Sequence, residues 1–279
     1  MRKNSGWGGG QALARAKHRA IITLTTDFGT SDHYVASMKG AILSIAPDVN
    51  LVDVTHDIEP QNLMQAAFVL RQAWPAFPPE TIHVVVVDPT VGSDRRILAA
   101  RYNGRTVLAP DNGVISLVHR DGQVEAIHVI EQRNLFAASV SATFHGRDIF
   151  APVAARLAGG MPLADVGPAT DRITTFAIPH PHPHLDGSIE GEVIYVDTFG
   201  NLVTNLTPQE LKRTSPTRNS WNVTLRDRHI GPVRHTYADV PAGEPLALIG
   251  STGWLEIAVN GGSAADALDA VAGATVLIR

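Results

Sequence analysis

IHVVVVD, residues 82–88, decides the fold class. It is an unbroken, largely β-branched run of strand length that ends on a carboxylate. A strand with one wet face alternates apolar and polar residues. A run without alternation suits a strand buried on both faces, as in a parallel sheet covered by helices. The same texture recurs earlier in the chain. Ala20–Thr26 (AIITLTT) ends at Asp27, and Val49–Thr55 (VNLVDVT) forms a third run. Between them Val35, Met38, Ile42 and Ile45 repeat at helical spacing. Leu63, Ala66, Ala67, Leu70 and Trp74 do so again, and Pro47 and Pro75 stop the two helices. Strand, helix, strand, helix, strand predicts an α/β unit with right-handed crossovers. A hairpin of Ile97–Tyr102 and Thr106–Ala109 turns at Asn103-Gly104. A last helix, from about Asp148 to Ala158, carries Ile149, Phe150, Val153, Ala154 and Leu157 on one face and ends at Gly159-Gly160.

Residues 179–184 read PHPHPH. Alternating proline favours a stiff, extended connection, and the segment is read as a linker rather than a metal site. Its one neighbouring carboxylate, Asp186, sits beside Gly187 in a predicted turn. Beyond it the pattern becomes short strands: Ile189–Val196, Leu202–Leu206, Trp221–Leu225, Leu246–Ile249, Trp254–Val259 and Thr275–Ile278. The expected fold is therefore an N-terminal α/β domain with a largely parallel sheet (residues 20–173), a linker (174–186), and a smaller C-terminal antiparallel β-barrel (187–279). Residues 1–19, basic and glycine-rich without apolar periodicity, are expected to form a disordered tail.

Composition narrows the function. The chain has 279 residues, 44% hydrophobic and 18% charged, a globular balance. Lys and Arg total 23 against 27 for Asp and Glu, so no broad basic surface for nucleic acid is expected. There is no cysteine, which excludes disulfides, thiolate metal sites and a cysteine nucleophile, and fits a reducing, cytoplasmic setting. No apolar stretch is long enough to span a membrane, and the tail lacks the apolar core of a signal peptide. Motifs for P-loops, zincins, nucleophile elbows and placed dinucleotide loops are missing.

Chemistry is expected beyond the carboxyl ends of the parallel strands. Asp27 (TTDFGTSD) and Asp88 (VVDPTVGSDRR) both fall there, each ahead of a glycine-containing loop. Read alone, either is as well explained as a helix or turn cap. Pro89 and Gly92 bend the second loop, which can return Arg95 to Asp88, while Arg96 points away along the next strand. His145, in FHGRD, precedes the last helix of the domain, where a neutral imidazole could orient a water. In the barrel, Phe199-Gly200-Asn201 and Ser251 to Gly262 are candidate ligand contacts, equally readable as turns.

Taken together, TTDFGTSDHYVASMKG, VDPTVGSDRR, APDNG, TFHGRDIFAPVAA, DTFGNLVTN and STGWLEIAVNGGSAA, in this order, resemble the S-adenosyl-L-methionine (SAM) hydrolases that form adenosine. These are also called SAM hydroxide adenosyltransferases and are related to fluorinases and chlorinases. The resemblance implies a homotrimer with active sites between subunits, SAM as substrate, and no cofactor or metal. It implies a catalytic trio of Asp88, Arg95 and His145. It assigns Asp27 to the ribose hydroxyls, Phe199, Asn201 and Tyr237 to adenine, and Asp32, Ser251 and Glu256 to the methionine end or nearby polar contacts. Val259 and Asn260 would line the adenine through their backbone. Thr90 departs from the expected glycine of VDPGVG. The alternatives are a halogenase on the same fold and a non-catalytic SAM or adenosine binder. Fluorinase-like chains carry tyrosines at the Asp88 and His145 positions and a serine at Gly146, with an insertion that the direct Arg101–Leu108 hairpin here lacks.

Overall fold

A computed structural model describes residues 19–177, 179–214 and 220–279. Apart from Arg19, the expected N-terminal tail lies outside the described residues. The first sheet contains β1 (Ile21–Thr26), β2 (Asn50–Thr55), β3 (Ile82–Val86), β4 (Ile97–Tyr102), β5 (Arg105–Pro110) and β6 (Val124–Val129), in the order β2-β1-β3-β5-β4-β6. The β1–β2, β1–β3 and β3–β5 pairs are parallel. The hairpin strand β4 runs antiparallel to both β5 and β6. Asn103 and Gly104 both take positive φ at the tip, the geometry that matches strand twist.

The IHVVVV run is buried as its texture demands. Val84 and Val86 enter one core with Ile22, Leu24, Met38, Ile42, Phe150 and Val153. Val85 and Val87 enter the opposite core with Leu70, Trp74 and Leu98. Successive strand residues face opposite ways, and each fully buried valine contributes roughly 1.5–3 kcal/mol relative to exposure. Helices α1 (Tyr34–Ile45) and α2 (Leu63–Ala73) cover the two faces, joined by α3 (Ser116–Asp121) and α4 (Ala151–Ala158). The predicted Asp148–Ala158 helix opens instead with a π turn, Gly146–Phe150. Pro152 has no N–H to bond the Asp148 carbonyl, and that carbonyl accepts from Ala137 N at 2.8 Å. β6 and α3 escape the periodicity reading because VEAIHV is an edge strand with an exposed start, and α3 is short.

The second sheet holds β7 (His182–Pro183), β8 (Ile189–Val196), β9 (Leu202–Thr204), β10 (Asn222–Leu225), β11 (Arg228–Arg234), β12 (Pro245–Ile249), β13 (Leu255–Val259) and β14 (Thr275–Ile278). A β14–β8 pairing closes it into a barrel, with β7 added at the outside of β8. The PHPHPH segment thus ends as a strand. Helices α5 (Pro208–Thr214) and α6 (Ala264–Leu268) lie in its connections. One pairing departs from the antiparallel expectation: β11 and β12 run parallel. Residues 235–244 cross over between them through a 3-10 turn at Tyr237–Asp239, so β12 enters in the same direction. The two sheets meet where Phe68 of α2 stacks near Tyr195 of β8 and against Trp254, at ring distances of 4.8 and 5.9 Å. Among the described residues, no helix is long and apolar enough to cross a membrane.

Candidate active site

β1 and β3 are adjacent and parallel, with Thr26 opposite Val86, so Asp27 and Asp88 leave the same edge of the sheet. After Asp88 the loop tightens. Val91 N bonds the Asp88 carbonyl at 3.2 Å and Ser93 N bonds Thr90 O at 3.1 Å. Gly92 takes φ +81°, and a Cβ there would lie 2.6 Å from the Ala142 carbonyl. This bend brings Arg95 back. Its Nε donates to both Asp88 oxygens, at 2.9 and 2.7 Å, and Nη2 lies 2.5 Å from Oδ2. Both side chains are almost sealed, 7% and 4% exposed. Arg96 turns the other way, onto Asp111. The hydroxyl of Thr90 donates to Asp88 Oδ1 at 3.3 Å, so the departure from glycine adds a donor to the carboxylate.

Arg95 Nη2 also lies 2.8 Å from His145 Nδ1. Guanidinium can only donate, so Nδ1 accepts, and the proton of the neutral ring sits on Nε2. Burial and the Arg95 charge hold the His145 pKa below the usual histidine range, outweighing the Asp88 and Asp148 carboxylates. Behind it, Asp148 accepts from Ser141 N at 2.8 Å and pairs with Arg147. Phe144 packs edge-on against Phe28 and Tyr34, joining this loop to the one carrying Asp27. Asp27 Oδ2 accepts from Gln61 N at 2.9 Å. Asp32 lies in the exposed stretch before α1.

A second cluster stands on the barrel. After β8, Asp197 Oδ1 accepts from Phe199 N and Asn201 N at 2.9 and 2.8 Å, and Oδ2 from Asn201 Nδ2 at 2.9 Å. The turn buries Asn201 and leaves Phe199 78% exposed. Gly200, at φ +79°, has no room for a side chain, since a Cβ would meet Ser263 Oγ at 2.2 Å. Nearby, the Tyr237 hydroxyl donates to Glu256 Oε1. Burial raises the pKa of Glu256, reinforced by Asp197 and opposed by the Tyr237 bond. Burial, the Glu256 bond and the two carboxylate charges push Tyr237 up to about 12. Ser251 is exposed in the tight turn between Gly250 and Trp254. Asn260 N–H and C=O are already bonded, to Glu244 O and Gly243 N, and Val259 O accepts from Gly262 N.

The structure therefore brings Asp88, Arg95 and His145 into one bonded unit, with Asp27 at the neighbouring strand end. It brings Tyr237 and Glu256 together, and Asn201 with Phe199. Among the described residues, no hydrogen bond, ion pair or ring contact joins the trio to the barrel cluster within one chain. Asp197 was not singled out in the sequence, although Asp followed by T-F-G-N is a turn signal with an acidic start.

Comparison with known proteins follows the same division. Residues 22–167 match the SAM hydroxide adenosyltransferase N-terminal domain, and residues 191–277 the C-terminal domain. The chain belongs to the SAM hydroxide adenosyltransferase family. An (R)-S-adenosyl-L-methionine hydrolase of Salinispora tropica is 41% identical over 256 residues, covering 90% of this chain and 95% of that one. The protein of the same name from Thermus thermophilus is 39% identical, covering 88% and 94%. A fluorinase of an Actinoplanes species is 30% identical, covering 94% and 98%. Among solved structures, an uncharacterised conserved protein from Thermotoga maritima superposes with a TM-score of 0.85 at 38% identity, over 92% of this chain and 99% of that one. The family's two-part organisation is thus the α/β unit and the barrel described above.

Proposed function

We propose that this protein hydrolyses SAM at C5′ of the ribose, giving adenosine, L-methionine and a proton. The (R)-sulfonium epimer, named in the activity of its relatives, is the first form to test. The sulfonium makes C5′ electrophilic. An oxygen of water attacks in line, the C5′–S bond breaks, and its electron pair leaves on the methionine sulfur. The observation that carries this reading is the Asp88–Arg95–His145 unit, in which one buried guanidinium holds both an anion and a neutral imidazole. His145 donates from Nε2 to the attacking oxygen, and Arg95 stabilises its developing hydroxide character. His145 does not itself take the proton, because its accepting nitrogen is occupied by Arg95. We assign the proton to Asp88, which takes it from the water as the C5′–O bond forms, so that the attacking oxygen reaches the carbon with hydroxide character. Attack on a cation by a forming anion neutralises charge, which a dry site favours.

Asp27 holds the ribose hydroxyls. Phe199 and Tyr237 wall the adenine and Asn201 bonds its edge. Asp32, Ser251 and Glu256 serve the methionine end or make nearby polar contacts. Val259 and Asn260 shape the adenine slot, Asn260 through its fixed position because its backbone groups are already bonded. The site is completed in a homotrimer, the barrel of one subunit facing the trio of its neighbour. Phe199 at 78% exposure and Tyr237 at 40% support this, as large aromatics left for a partner. We place the domain boundary at 174–186 and the protein in the cytoplasm, with no cofactor.

Purified protein incubated with SAM, with and without chloride or fluoride, tests the proposal. Adenosine and methionine formed independently of halide, and lost in His145→Ala, are expected. A 5′-halo-adenosine would move the chain to the halogenases, against which the Asp88 carboxylate argues by repelling a halide. Tight SAM binding without product would leave a binding protein.

A further inference from the structure

A hydrogen-bonded chain outside the trio converges on the loop that carries Asp27. His56 follows β2 and is 4% exposed. Its Nδ1 lies 2.9 Å from the hydroxyl of Thr26, the last residue of β1, which is fully buried. Its Nε2 lies 3.0 Å from Asp53 Oδ1, a close ion-pair contact that does not meet hydrogen-bond geometry. Asp53 Oδ2 in turn holds Lys39 Nζ at 2.6 Å. Asp53 is anionic, its pKa held down by bonds to Lys39 and His56 against the opposing effect of burial. An anion at Nε2 fixes the ring proton there and makes Nδ1 an acceptor. The Thr26 hydroxyl then donates to Nδ1, and its oxygen accepts from Phe28 N at 3.3 Å. From the other side, the His56 carbonyl accepts from Gly29 N at 2.8 Å. Residues before and after Asp27 are thus tied to one imidazole residue, one through the side chain and one through the backbone.

We propose that His56, backed by Asp53, is a positioning residue that sets the aim of the Asp27 carboxylate through Thr26. The nucleoside part of the Proposed function is assumed, namely that Asp27 receives ribose hydroxyls. A chain of bonds with a single direction leaves Thr26 one hydroxyl orientation and Phe28 N one partner. Asp27 then has only its side-chain torsions left to choose, and Gln61 N settles those. The expected signature is selective. Loss of the imidazole blunts recognition of the ribose hydroxyls and leaves recognition of the base.

The test is calorimetric titration of the intact protein with adenosine and with 2′,3′-dideoxyadenosine, alongside SAM turnover. In wild type, adenosine binds more tightly than its dideoxy analogue. His56→Leu is expected to weaken adenosine about tenfold, leave the dideoxy analogue within about twofold, and raise KM with little change in kcat. His56→Asn, whose amide oxygen can take the place of Nδ1, should restore most of the difference. Asp53→Asn, half-exposed and easier on folding, should shift adenosine affinity in the same direction by a smaller factor. Equal weakening of both nucleosides would mean general loosening and overturn the proposal. So would unchanged discrimination in both His56→Leu and Asp53→Asn. A wild type that binds SAM but does not prefer adenosine over the dideoxy analogue overturns the ribose role of Asp27 and this proposal with it. A wild type that discriminates but shows no turnover overturns the hydrolase reading alone.

Discussion

Asp88→Asn isolates the charge at the centre of the trio while keeping its shape. In the native structure the Asp88 carboxylate meets Arg95 through three N–O approaches of 2.5–2.9 Å, both side chains under a tenth exposed. The amide would leave the guanidinium buried without its anion. Breaking a buried pair from one side costs about 3–5 kcal/mol. At about 2–4 °C per kcal/mol for a chain near this size, the melting temperature should fall by roughly 6–20 °C. Arg95→Leu should cost a comparable amount, by stranding the carboxylate. The double variant removes both charges and should be more stable than the sum predicts, with an interaction energy of about 1–3 kcal/mol. Turnover should be lost in all three, because stability returns with charge balance and chemistry does not. Thermal melts and SAM turnover on the same four proteins give both readouts. Additive stability losses would refute the claim that Asp88 and Arg95 act as a unit. Wild-type turnover in the double variant would remove them from the chemistry.

Three further outcomes are expected. His83 is fully buried, bonded to Thr23 at 2.8 Å, with its pKa lowered to about 4 by burial and by Arg105. The unfolded chain therefore takes up that proton first, near the ordinary pH 6.5. Stability is intact above 6.5, falls as the pH drops towards 4, and loses about 3 kcal/mol across that window, which pH-dependent urea melts will read and His83→Gln will flatten. Gly200→Ala places a methyl against Ser263 at a left-handed backbone position, so KM for SAM should rise several-fold with the turn carrying Phe199 and Asn201 displaced, at a stability cost of about 1–2 kcal/mol. In nitrogen-edited NMR, neutral His145 should be the Nε2–H tautomer with its titration midpoint below the ordinary 6.5, and an Nδ1–H tautomer or a midpoint above 6.5 would contradict the Arg95 bond.

The α/β unit was legible because its signal is local and redundant. IHVVVV can only be satisfied between two apolar layers, and Val84–Val87 are divided between them in strict alternation. Of the bonded Asp88–Arg95–His145 cluster, the first pair was legible because both residues share one short bent loop, while His145, fifty residues on, was joined to them only through the family resemblance. What stayed hidden is set by distant partners. RHIGPVR carries Gly231 and Pro232 and shows no strand periodicity, yet it pairs as β11 because the barrel supplies neighbours on both sides. The π turn follows from Pro152 together with Ala137, which takes the orphaned carbonyl. His56 looks like an ordinary residue after a strand, and its partner Thr26 lies on another strand, so no spacing rule reveals it. The occupied backbone of Asn260 is likewise a product of the Gly243 and Glu244 turn, invisible in VNGG.

In the proposed reaction water is the nucleophile and C5′ the carbon attacked. Turnover of SAM in water enriched in heavy oxygen, followed by mass analysis of both products, tests it most directly. Adenosine carrying one heavy oxygen at its 5′-hydroxyl, with unlabelled methionine, is the predicted result. Unlabelled adenosine, heavy oxygen in the amino-acid product, or 5′-methylthioadenosine in place of adenosine would contradict it.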